Sequence, residues 1–348
     1  MKSEFIRKAK YQKKIDEDYS QCLICERKCK IKNGKVGFCQ SRINKDGEIF
    51  TIVYGLIPAI SLNPIEKKPL YHFFPGSIAI TIGTYGCNFS CFWCQNHHLS
   101  HPKKKIKNLA VNTSKYTSPE DIVKMALKSS CQGTSVSFNE PTMLFEYSLE
   151  LFKFAKKEGL YNTYVSNGYM TEEVLSDLVK GGLDAMNVDV KGDNEMIRKY
   201  CGVENEIVWR NALFAKENGV HIEITTLILE DFNSDVATIK TISERIVTDL
   251  GEETPFHISR AFPYYQSLKH NFTHPTFKNS LYQARRIAIE SGLKYVYLGN
   301  MPGNDFQDTR CPKCSQIVIE RKGYCISKLG LNSKGECKHC GHFISYME

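Results

Sequence analysis

The sequence predicts an α/β fold: a partial, TIM-like (β/α)6 barrel between two small cysteine-rich segments. Between residues 77 and 300, apolar β-branched stretches alternate with amphipathic stretches of helical periodicity. The 14 cysteines fall mainly in three groups, at residues 22–39, 87–94 and 311–340. A chain of 348 residues is long enough for one large domain with smaller appendages.

Six stretches, and a seventh near the end of the alternation, have the composition of buried strands. They are Ser77–Gly86, Thr134–Glu140, Tyr161–Asn167, Ala185–Lys191, His221–Leu229, Phe256–Phe262 and Lys294–Asn300. Helical patterns lie between them, the first opened by Ser118 as N-cap with Pro119 at the first helical position. This alternation favours a parallel sheet with helices outside, and polar residues at the carboxyl ends of the strands are then candidates for chemistry.

The pattern divides the chain into three parts. Residues 1–76 form an N-terminal cysteine-rich segment in which Arg7–Lys14 is expected to be a charged helix. Residues 77–303 form the barrel, and residues 304–348 form a ribbon with two CxxC pairs. The net charge of +8 and the basic runs Arg7–Lys14 and Lys103–Lys107 leave an acidic partner such as nucleic acid open, although solvated surface is the simpler interpretation.

The composition and hydropathy of the sequence indicate where in the cell the protein is expected. Hydrophobic residues make up 42% and charged residues 24% of the chain, as in ordinary globular proteins. The amino terminus has no apolar signal region, and no apolar stretch is long enough to span a membrane. We therefore expect a cytoplasmic protein without a membrane partner, in which clustered cysteines bind metal rather than form disulfides.

Cys87, Cys91 and Cys94 are spaced C-x3-C-x2-C directly after the first predicted strand. A closed structural metal site usually takes four protein ligands, so three leave one position free. Three thiolates can hold a [4Fe-4S] cluster by three of its irons and leave the fourth iron open. The alternative is a zinc site completed by His97 or His98.

Further polar residues lie at the ends of the later strands. The candidates for chemistry at this end of the barrel are Asn139, Glu140, Ser166, Asn167, Asp189, Lys191 and His257. Each also has a structural interpretation. Asp189 and Lys191 could form a buried ion pair, Glu140 could cap the following helix, and His257 could be a satisfied core histidine.

Together these motifs resemble a known family. The segments "LNPIEKKPLYHFFPGS", "TYGCNFSCFWCQN", "FNEPTMLFEY", "VSNGY", "NVDVKG", "FHISRAFP" and "YLGNMPGN" occur in the order found in the AmmeMemoRadiSam-system radical SAM enzymes. That family is related to the pyruvate formate-lyase activating enzymes, and the resemblance covers roughly residues 20–345. It implies a radical SAM barrel with a [4Fe-4S] cluster and S-adenosylmethionine (SAM) as cofactors.

The resemblance also implies roles for the candidates. Cys87, Cys91 and Cys94 would be the catalytic cluster ligands. Asn139 and Glu140 stand in a motif that receives the SAM ammonium group, where relatives have two glycines instead of Phe138 and Asn139. The remaining positions correspond to a ribose-contacting pair (Ser166, Asn167), an Asp-x-Lys strand end reaching the SAM carboxylate (Asp189, Lys191) and a histidine near the adenosine (His257). Val165 replaces the aspartate that precedes the ribose motif in activating enzymes.

The outer cysteines predict two further metal sites. The pairs Cys311/Cys314 and Cys337/Cys340 have the spacing of a four-thiolate zinc or rubredoxin-like iron site. Four more cysteines, Cys22, Cys25, Cys29 and Cys39, could bind structural zinc or a second iron–sulfur cluster. The three left over, Cys131, Cys201 and Cys325, are interpreted as small buried hydrophobic residues.

The resemblance implies reductive cleavage of SAM to a 5′-deoxyadenosyl radical that abstracts hydrogen from a substrate. The candidate substrates are a protein, as in glycyl-radical activation, or an RNA or small metabolite. A non-catalytic protein with several zinc sites is the alternative class. Expected partners are an electron donor such as flavodoxin or ferredoxin and, by family association, Memo-like and Ammecr-like proteins.

Overall fold

The computed structural model describes residues 3–106, 108–109, 115–303 and 305–347, so Lys107 and Asn304 of the predicted motifs lie outside it. The N-terminal strands are β1 Arg7–Lys8, β2 Gln12–Lys14, β3 Tyr19–Cys22, β4 Lys30–Lys32, β5 Arg42–Lys45 and β6 Glu48–Thr51. The barrel strands are β7 Ala59–Pro64, β8 Ile78–Gly83, β9 Gly133–Val136, β10 Tyr161–Ser166, β11 Ala185–Asp189, β12 His221–Ile228, β13 Phe256–Arg260 and β14 Val296–Gly299. The C-terminal strands are β15 Thr309–Arg310, β16 Ile317–Lys322 and β17 Cys325–Leu329.

Helices connect the barrel strands. The α-helices are α1 His97–Ser100, α2 Pro119–Lys128, α3 Phe145–Lys157, α4 Glu172–Lys180, α5 Asn194–Met196, α6 Asn205–Glu217, α7 Val236–Arg245 and α8 Lys278–Glu290. Short 3-10 helices cover Ser3–Phe5, Ile65–Lys67, Pro141–Leu144 and Ser267–His270, and π-helical turns cover Ile197–Cys201 and Ile246–Leu250. The cap predicted for α2 is present: the Ser118 side chain accepts from the Asp121 backbone N–H in a capping box.

In the described part of the chain, the central sheet has eight strands in the order β14-β13-β12-β11-β10-β9-β8-β7. Strands β8 to β14 are parallel, and β7 adds an antiparallel strand at one edge. The two edge strands, β7 and β14, are not paired with each other among the described residues, so the barrel is open. The predicted partial (β/α) barrel is confirmed.

The two faces of the sheet have different chemistry because side chains alternate along each strand. One face packs its apolar residues, such as Val136, Met186 and Ile258, into the large core beneath the helices. The opposite face, which lines the lumen, is polar: Asn187 of β11 donates to the Pro69 carbonyl (2.7 Å). The sheet therefore encloses polar groups that need partners.

A segment between β7 and β8, here called the plug (Ile65–Phe74), enters the lumen. Glu223 of β12 accepts hydrogen bonds from the backbone N–H groups of Tyr71 and His72 (2.9 and 2.7 Å). The C-terminal ribbon holds the plug from outside, since Phe74 donates to the Met347 carbonyl (2.7 Å) and Met347 donates to the His72 carbonyl (2.8 Å). The plug thus connects the barrel interior to the ribbon.

The prediction of a charged helix at Arg7–Lys14 is wrong. This stretch forms β1, which pairs with β6, and β2, which pairs with β3. Pairing with neighbouring strands, one close in sequence (β3) and one distant (β6), outweighs the helical preference of lysine-rich segments. Several barrel strands also end earlier than expected, so that Asn139, Glu140 and Lys191 lie in loops just beyond their strands.

Candidate active site at the barrel mouth

The cysteine loop leaves the carboxyl end of β8 and passes close to the N-terminal cysteine segment. Gly86 has φ +98°, and a Cβ there would lie 2.5 Å from the Cys39 carbonyl oxygen, so only glycine fits this approach. Cys91 is buried, whereas Cys87 and Cys94 are half-buried. The Phe89 backbone N–H donates to Cys87 Sγ (3.4 Å), the type of contact that stabilises a thiolate.

The three thiols of the loop affect one another electrostatically. Burial raises the pKa of Cys87 well above its ordinary value, and the charges of Glu140, Cys91 and Cys94 raise it further. Burial, followed by the charge of Cys91, raises the pKa of Cys94 to about 11. A bound cationic group is what would allow these neighbouring thiols to lose their protons together.

Cys91 has a sulfur neighbour that the sequence interpretation missed. Its Sγ lies 3.5 Å from Cys201 Sγ, and both residues are buried. Cys201 ends the π-helical turn after α5, and its backbone carbonyl accepts from Arg27 Nη2 (2.8 Å). The expectation that Cys201 is only a small buried hydrophobic residue is therefore incomplete, because it touches a predicted cluster ligand.

Asp189 and Lys191 form an ion pair, as one of the two interpretations expected, although both side chains are only partly buried. Burial alone lowers the pKa of Lys191, but the charges of Asp189 and Cys91 raise it more, and the net pKa is raised. One carboxylate oxygen of Asp189, Oδ1, is buried without a hydrogen-bond partner. The Lys191 ammonium group and the Cys91 thiol therefore interact electrostatically, and the lysine offsets negative charge at that sulfur.

Glu140 connects two strand ends. Its Oε1 accepts from the Thr142 backbone N–H (3.0 Å) and the Ser166 hydroxyl (2.9 Å), and its Oε2 accepts from the Asn167 backbone N–H (2.9 Å). The side chain is 3% exposed, and burial raises its pKa despite these hydrogen bonds. The carboxylate caps the 3-10 helix Pro141–Leu144, as the structural interpretation expected, and it also acts on Cys87.

Asn139 and Asn167 brace the cysteine loop. Asn139 accepts from the Thr84 backbone N–H (3.0 Å) and donates to the Gly86 carbonyl (2.8 Å), so its side chain is already occupied. Asn167 Nδ2 donates to Asn88 Oδ1 (2.8 Å) and lies 3.9 Å from Cys87 Sγ.

Phe138, at the position where relatives have glycine, has φ +70°, a left-handed conformation that costs energy for a bulky residue. The strand end thus keeps a glycine-like backbone without a glycine.

His257 lies lower in the barrel. Its Nε2 is 2.6 Å from Glu223 Oε2, and its ring stacks on Tyr297 with 5.3 Å between centroids. Burial raises the pKa of Glu223, but hydrogen bonds from His221 and His257 lower it more, so the carboxylate is held ionised. These contacts are those of a satisfied core histidine. Glu223 itself was not among the sequence candidates, because it lies inside an apolar strand.

The N-terminal cysteines Cys22, Cys25, Cys29 and Cys39 surround a small cavity that Arg27 and Arg42 also line. Burial raises the pKa of Cys25, and the charges of the other three thiols raise it further. Arg42 is 2% exposed and pairs with Glu146 (2.7 Å). Two arginines thus lie where four thiolates would accumulate negative charge.

The C-terminal cysteines form a compact group. Cys311 Sγ lies 3.6 Å from Cys340 Sγ, and Cys314 Sγ lies 3.7 Å from Cys337 Sγ. All four sulfur atoms lie within 4.8 Å of one another, which suits one tetrahedral ion with zinc–sulfur bonds of about 2.3 Å. Among the leftover cysteines, Cys131 is buried as expected, but Cys325 is exposed on β17, so the expectation for Cys325 is wrong.

The donor sets fit the groups that the sequence predicts. Three thiols at the end of the first parallel strand, one of them receiving a backbone N–H and one beside an ammonium group, suit an iron–sulfur cluster. The four C-terminal thiols suit a single metal ion.

Comparisons with known proteins relate the chain to one superfamily. The sequence profile of the Radical SAM superfamily matches residues 81–241. The chain is 36% identical to uncharacterized protein MJ0808 of Methanocaldococcus jannaschii over 341 residues, 97% of this chain and 99% of that protein. It is 24% identical to MJ1632 of the same organism, provisionally named a glycyl-radical enzyme activating enzyme, over 69% of this chain and 86% of that protein.

Among solved structures, a domain of the pyruvate-formate lyase-activating enzyme from Bacteroides vulgatus is similar. It is 20% identical and has a TM-score of 0.41, covering 48% of this chain and 99% of that one.

The open α/β barrel with a three-cysteine loop after its first parallel strand defines an iron–sulfur enzyme class. The chain belongs to the radical SAM superfamily, whose members use a [4Fe-4S] cluster and SAM. A C-terminal cysteine group able to bind metal is added to the barrel. In the described residues, no helix is both long and apolar enough to cross a membrane.

Proposed function

We propose that this protein cleaves SAM reductively and uses the resulting 5′-deoxyadenosyl radical to abstract a hydrogen atom from its substrate. The observation that carries the proposal is the cysteine loop at the barrel mouth, where the charges of Cys91 and Cys94 raise the pKa of Cys87 and the charge of Cys91 raises the pKa of Lys191. When bound, the reduced [4Fe-4S] cluster supplies the electron that cleaves the sulfonium. The chain itself positions the reactants and excludes water.

Each residue around the loop has a proposed task. Cys87, Cys91 and Cys94 bind the cluster. Glu140 provides negative charge for the SAM ammonium group, and Lys191 provides positive charge for the SAM carboxylate. Asn139, Ser166 and Asn167 hold Glu140 and the cysteine loop in place, since their hydrogen bonds connect those two elements.

For the substrate, the relatives favour a protein. MJ1632 is provisionally named an activating enzyme for a glycyl-radical enzyme, which is itself a protein. The motif series further supports assignment to the AmmeMemoRadiSam system, with Memo-like and Ammecr-like proteins as partners and a flavodoxin or ferredoxin as electron donor. A small-molecule substrate is the second candidate, and the polar barrel lumen favours it.

The outer cysteines are proposed to be structural metal sites. At the C-terminal site, the sulfur spacing supports one zinc or iron ion. At the N-terminal site, the buried Arg42 offsets part of the charge that four thiolates would bring. Both sites adjoin segments that contact the barrel, so metal binding would fix those segments against it.

The test is anaerobic reconstitution with iron and sulfide, followed by dithionite and SAM. The wild type is expected to bind about four irons at the central site and to form 5′-deoxyadenosine. The triple variant Cys87→Ala, Cys91→Ala, Cys94→Ala should lose both, whereas Cys131→Ala, which removes a buried cysteine elsewhere, should keep both. Zinc at the central site with no 5′-deoxyadenosine from the wild type would instead indicate a non-catalytic metal protein.

A further inference from the structure

Lys68 of the plug is a buried lysine without an anionic partner. It is 4% exposed, and no carboxylate of the described residues contributes to its pKa, which burial and the charge of Lys67 lower. Its Nζ lies 3.5 Å from the Ser137 hydroxyl and 5.0 Å from the centre of the Phe138 ring. Burying an ammonium group without a counterion destabilises the folded protein, so a lysine at this position suggests a functional role.

The position of Lys68 is fixed by its neighbours in the plug. Asn187 holds the Pro69 carbonyl, and Glu223 holds the backbone N–H groups of Tyr71 and His72. Arg321 of the ribbon donates to the Tyr71 carbonyl (2.7 Å). The next residue along the chain shows the contrast, because Lys67 is exposed. The ammonium group is therefore directed inward by a segment that is anchored on both sides.

Other lumen groups also lack partners. Four buried oxygen atoms of the lining have no hydrogen bond: Ser135 Oγ, Asn187 Oδ1, Asp189 Oδ1 and Thr225 Oγ1. Ser135 is on the same face of β9 as Ser137, the neighbour of Lys68, and Thr225 is in register with Asp189. Buried polar atoms are normally satisfied, so these four oxygens are available to bond a group that enters the lumen.

The location of these groups connects them to the cofactor site. Ser137 immediately precedes Phe138, Asn139 and Glu140, the strand end proposed to meet SAM. Asp189 pairs with Lys191, which lies near Cys91. A ligand held by Lys68 would therefore lie between the plug and the proposed cofactor. A substrate that gives up a hydrogen atom to the radical must lie in the same place.

We propose that Lys68 binds an oxyanion of the substrate, a carboxylate or a phosphate, inside the barrel lumen. This inference rests on the proposed function and adds the class of substrate. Burial lowers the pKa of Lys68 to about 7, which agrees with a site that lacks its counterion. The unpaired oxygens of Asn187 and Asp189 accept hydrogen bonds, so the substrate also carries a hydroxyl, amine or amide donor.

The test follows anion binding through its effect on the melting temperature. Anaerobically reconstituted protein with SAM is titrated with sodium acetate or inorganic phosphate, against sodium chloride of equal ionic strength, while its melting temperature is followed. The two anions separate a carboxylate site from a phosphate site. For the wild type, one of them should raise the melting temperature more than chloride does. In Lys68→Met, the affinity for that anion should fall at least about 10-fold, as expected for loss of a charged hydrogen bond.

The matched control is Lys67→Met, which removes the adjacent exposed lysine and should leave the anion response as in the wild type. Lys68→Gln is the second variant, which keeps a polar group if methionine disturbs the lumen. Equal anion responses in the wild type and both Lys68 variants would overturn the inference. So would a Lys68→Met variant that loses SAM affinity by the same factor, because the lysine would then serve the carboxylate of the cofactor.

Failure of the proposed function is recognised separately. If wild-type protein forms no 5′-deoxyadenosine with dithionite and SAM, the radical chemistry is wrong whatever the anion titration shows. If 5′-deoxyadenosine forms but neither anion acts through Lys68, the radical chemistry stands and the substrate class is wrong.

Discussion

Cys91 and Cys201 lie with their sulfur atoms 3.5 Å apart in the buried floor of the cysteine loop. The pair joins two elements, because Cys91 belongs to the loop after β8 and Cys201 ends the turn after α5. Arg27 reinforces the junction by donating both to the Cys201 carbonyl and to the Asn88 carbonyl. The N-terminal segment, the cysteine loop and this turn therefore meet at one place.

This proximity predicts sensitivity to oxidants before the cluster is assembled. Treating metal-free protein with diamide should remove two electrons and two protons from Cys91 and Cys201 and join them in a disulfide, while diamide is reduced to its hydrazine. The oxidised protein should take up less iron at the central site until a thiol reductant is added. Peptide mapping checks the link, and iron analysis checks the block.

Cys201→Ala should keep its iron uptake after the same treatment, because the variant lacks the sulfur atom that lies 3.5 Å from Cys91. Cys131→Ala, a buried cysteine elsewhere, should behave like the wild type. Equal loss of iron uptake in all three proteins would show that oxidation acts at another site.

The hydrogen bonds of the Glu140 carboxylate predict the effect of replacing Glu140 with glutamine. In Glu140→Gln, the amide nitrogen must face a donor, either the Asn167 backbone N–H or the donors at Oε1, so one buried contact becomes repulsive. We expect a loss of about 1–3 kcal/mol in the free energy of unfolding and weaker SAM binding. Urea unfolding and equilibrium dialysis with labelled SAM measure the two effects.

Glu158→Gln is the control, because that carboxylate is exposed beyond the end of α3. A Glu140→Gln protein that matches this control in both assays would contradict a bracing role for the carboxylate.

The four cysteines of the C-terminal ribbon predict a bound metal ion. Through the ribbon, this metal should also keep the plug in position. Cys337→Ser should lose about one equivalent of zinc or iron, as measured by elemental analysis. Because Met347 and Arg321 of the ribbon bind His72 and Tyr71 of the plug, the amides of the plug should exchange hydrogen faster.

Cys325→Ser removes an exposed cysteine of the same ribbon and should leave metal content and exchange unchanged. If Cys337→Ser loses metal but the plug exchanges as in the wild type, the ribbon does not position the plug.

The sequence was sufficient to predict the barrel because each parallel strand is a short apolar run bounded by turn residues. Ser118 and Pro119 likewise marked the start of α2 correctly. The sequence failed at Arg7–Lys14, where alternating charged residues form strands only because β3 and β6 are present to pair with them. Local pattern alone cannot show such partners.

The site could be predicted only where its residues belong to local sequence motifs. Cys87 and Glu140 stand in recognisable motifs at strand ends, and in the structure the charge of Glu140 raises the pKa of Cys87. Cys201 and Lys68 have no motif of their own, since their importance depends on which distant residues lie beside them. One available signal was "LNPIEKKPLYHFFPGS", a stretch rich in ionisable residues directly before the first parallel strand. Its burial could not be inferred without the sheet around it.

The buried ammonium of Lys68 predicts a specific dependence of stability on pH. Burial lowers its pKa from 10.5 to about 7 in the folded protein. Between pH 7 and pH 10.5 the unfolded chain therefore binds more protons than the folded one, and wild-type stability gains from rising pH across this window. Below pH 7 both states hold the proton, so the cost of burying the charge is fully present.

Lys68→Met removes that cost. Relative to wild type, the variant should be more stable by up to about 5 kcal/mol near pH 6, and the difference should shrink steadily as the pH rises toward about 10. Urea unfolding of both proteins at matched pH values measures it, and subtracting the wild type cancels the titration of other groups. Lys67→Met should show a much smaller trend, because Lys67 is exposed and acts on the pKa of Lys68 only through its charge. A Lys68→Met variant less stable than wild type near pH 6 would mean that the ammonium group is already paired within the folded chain, and the lumen would then have no free cation to offer a substrate.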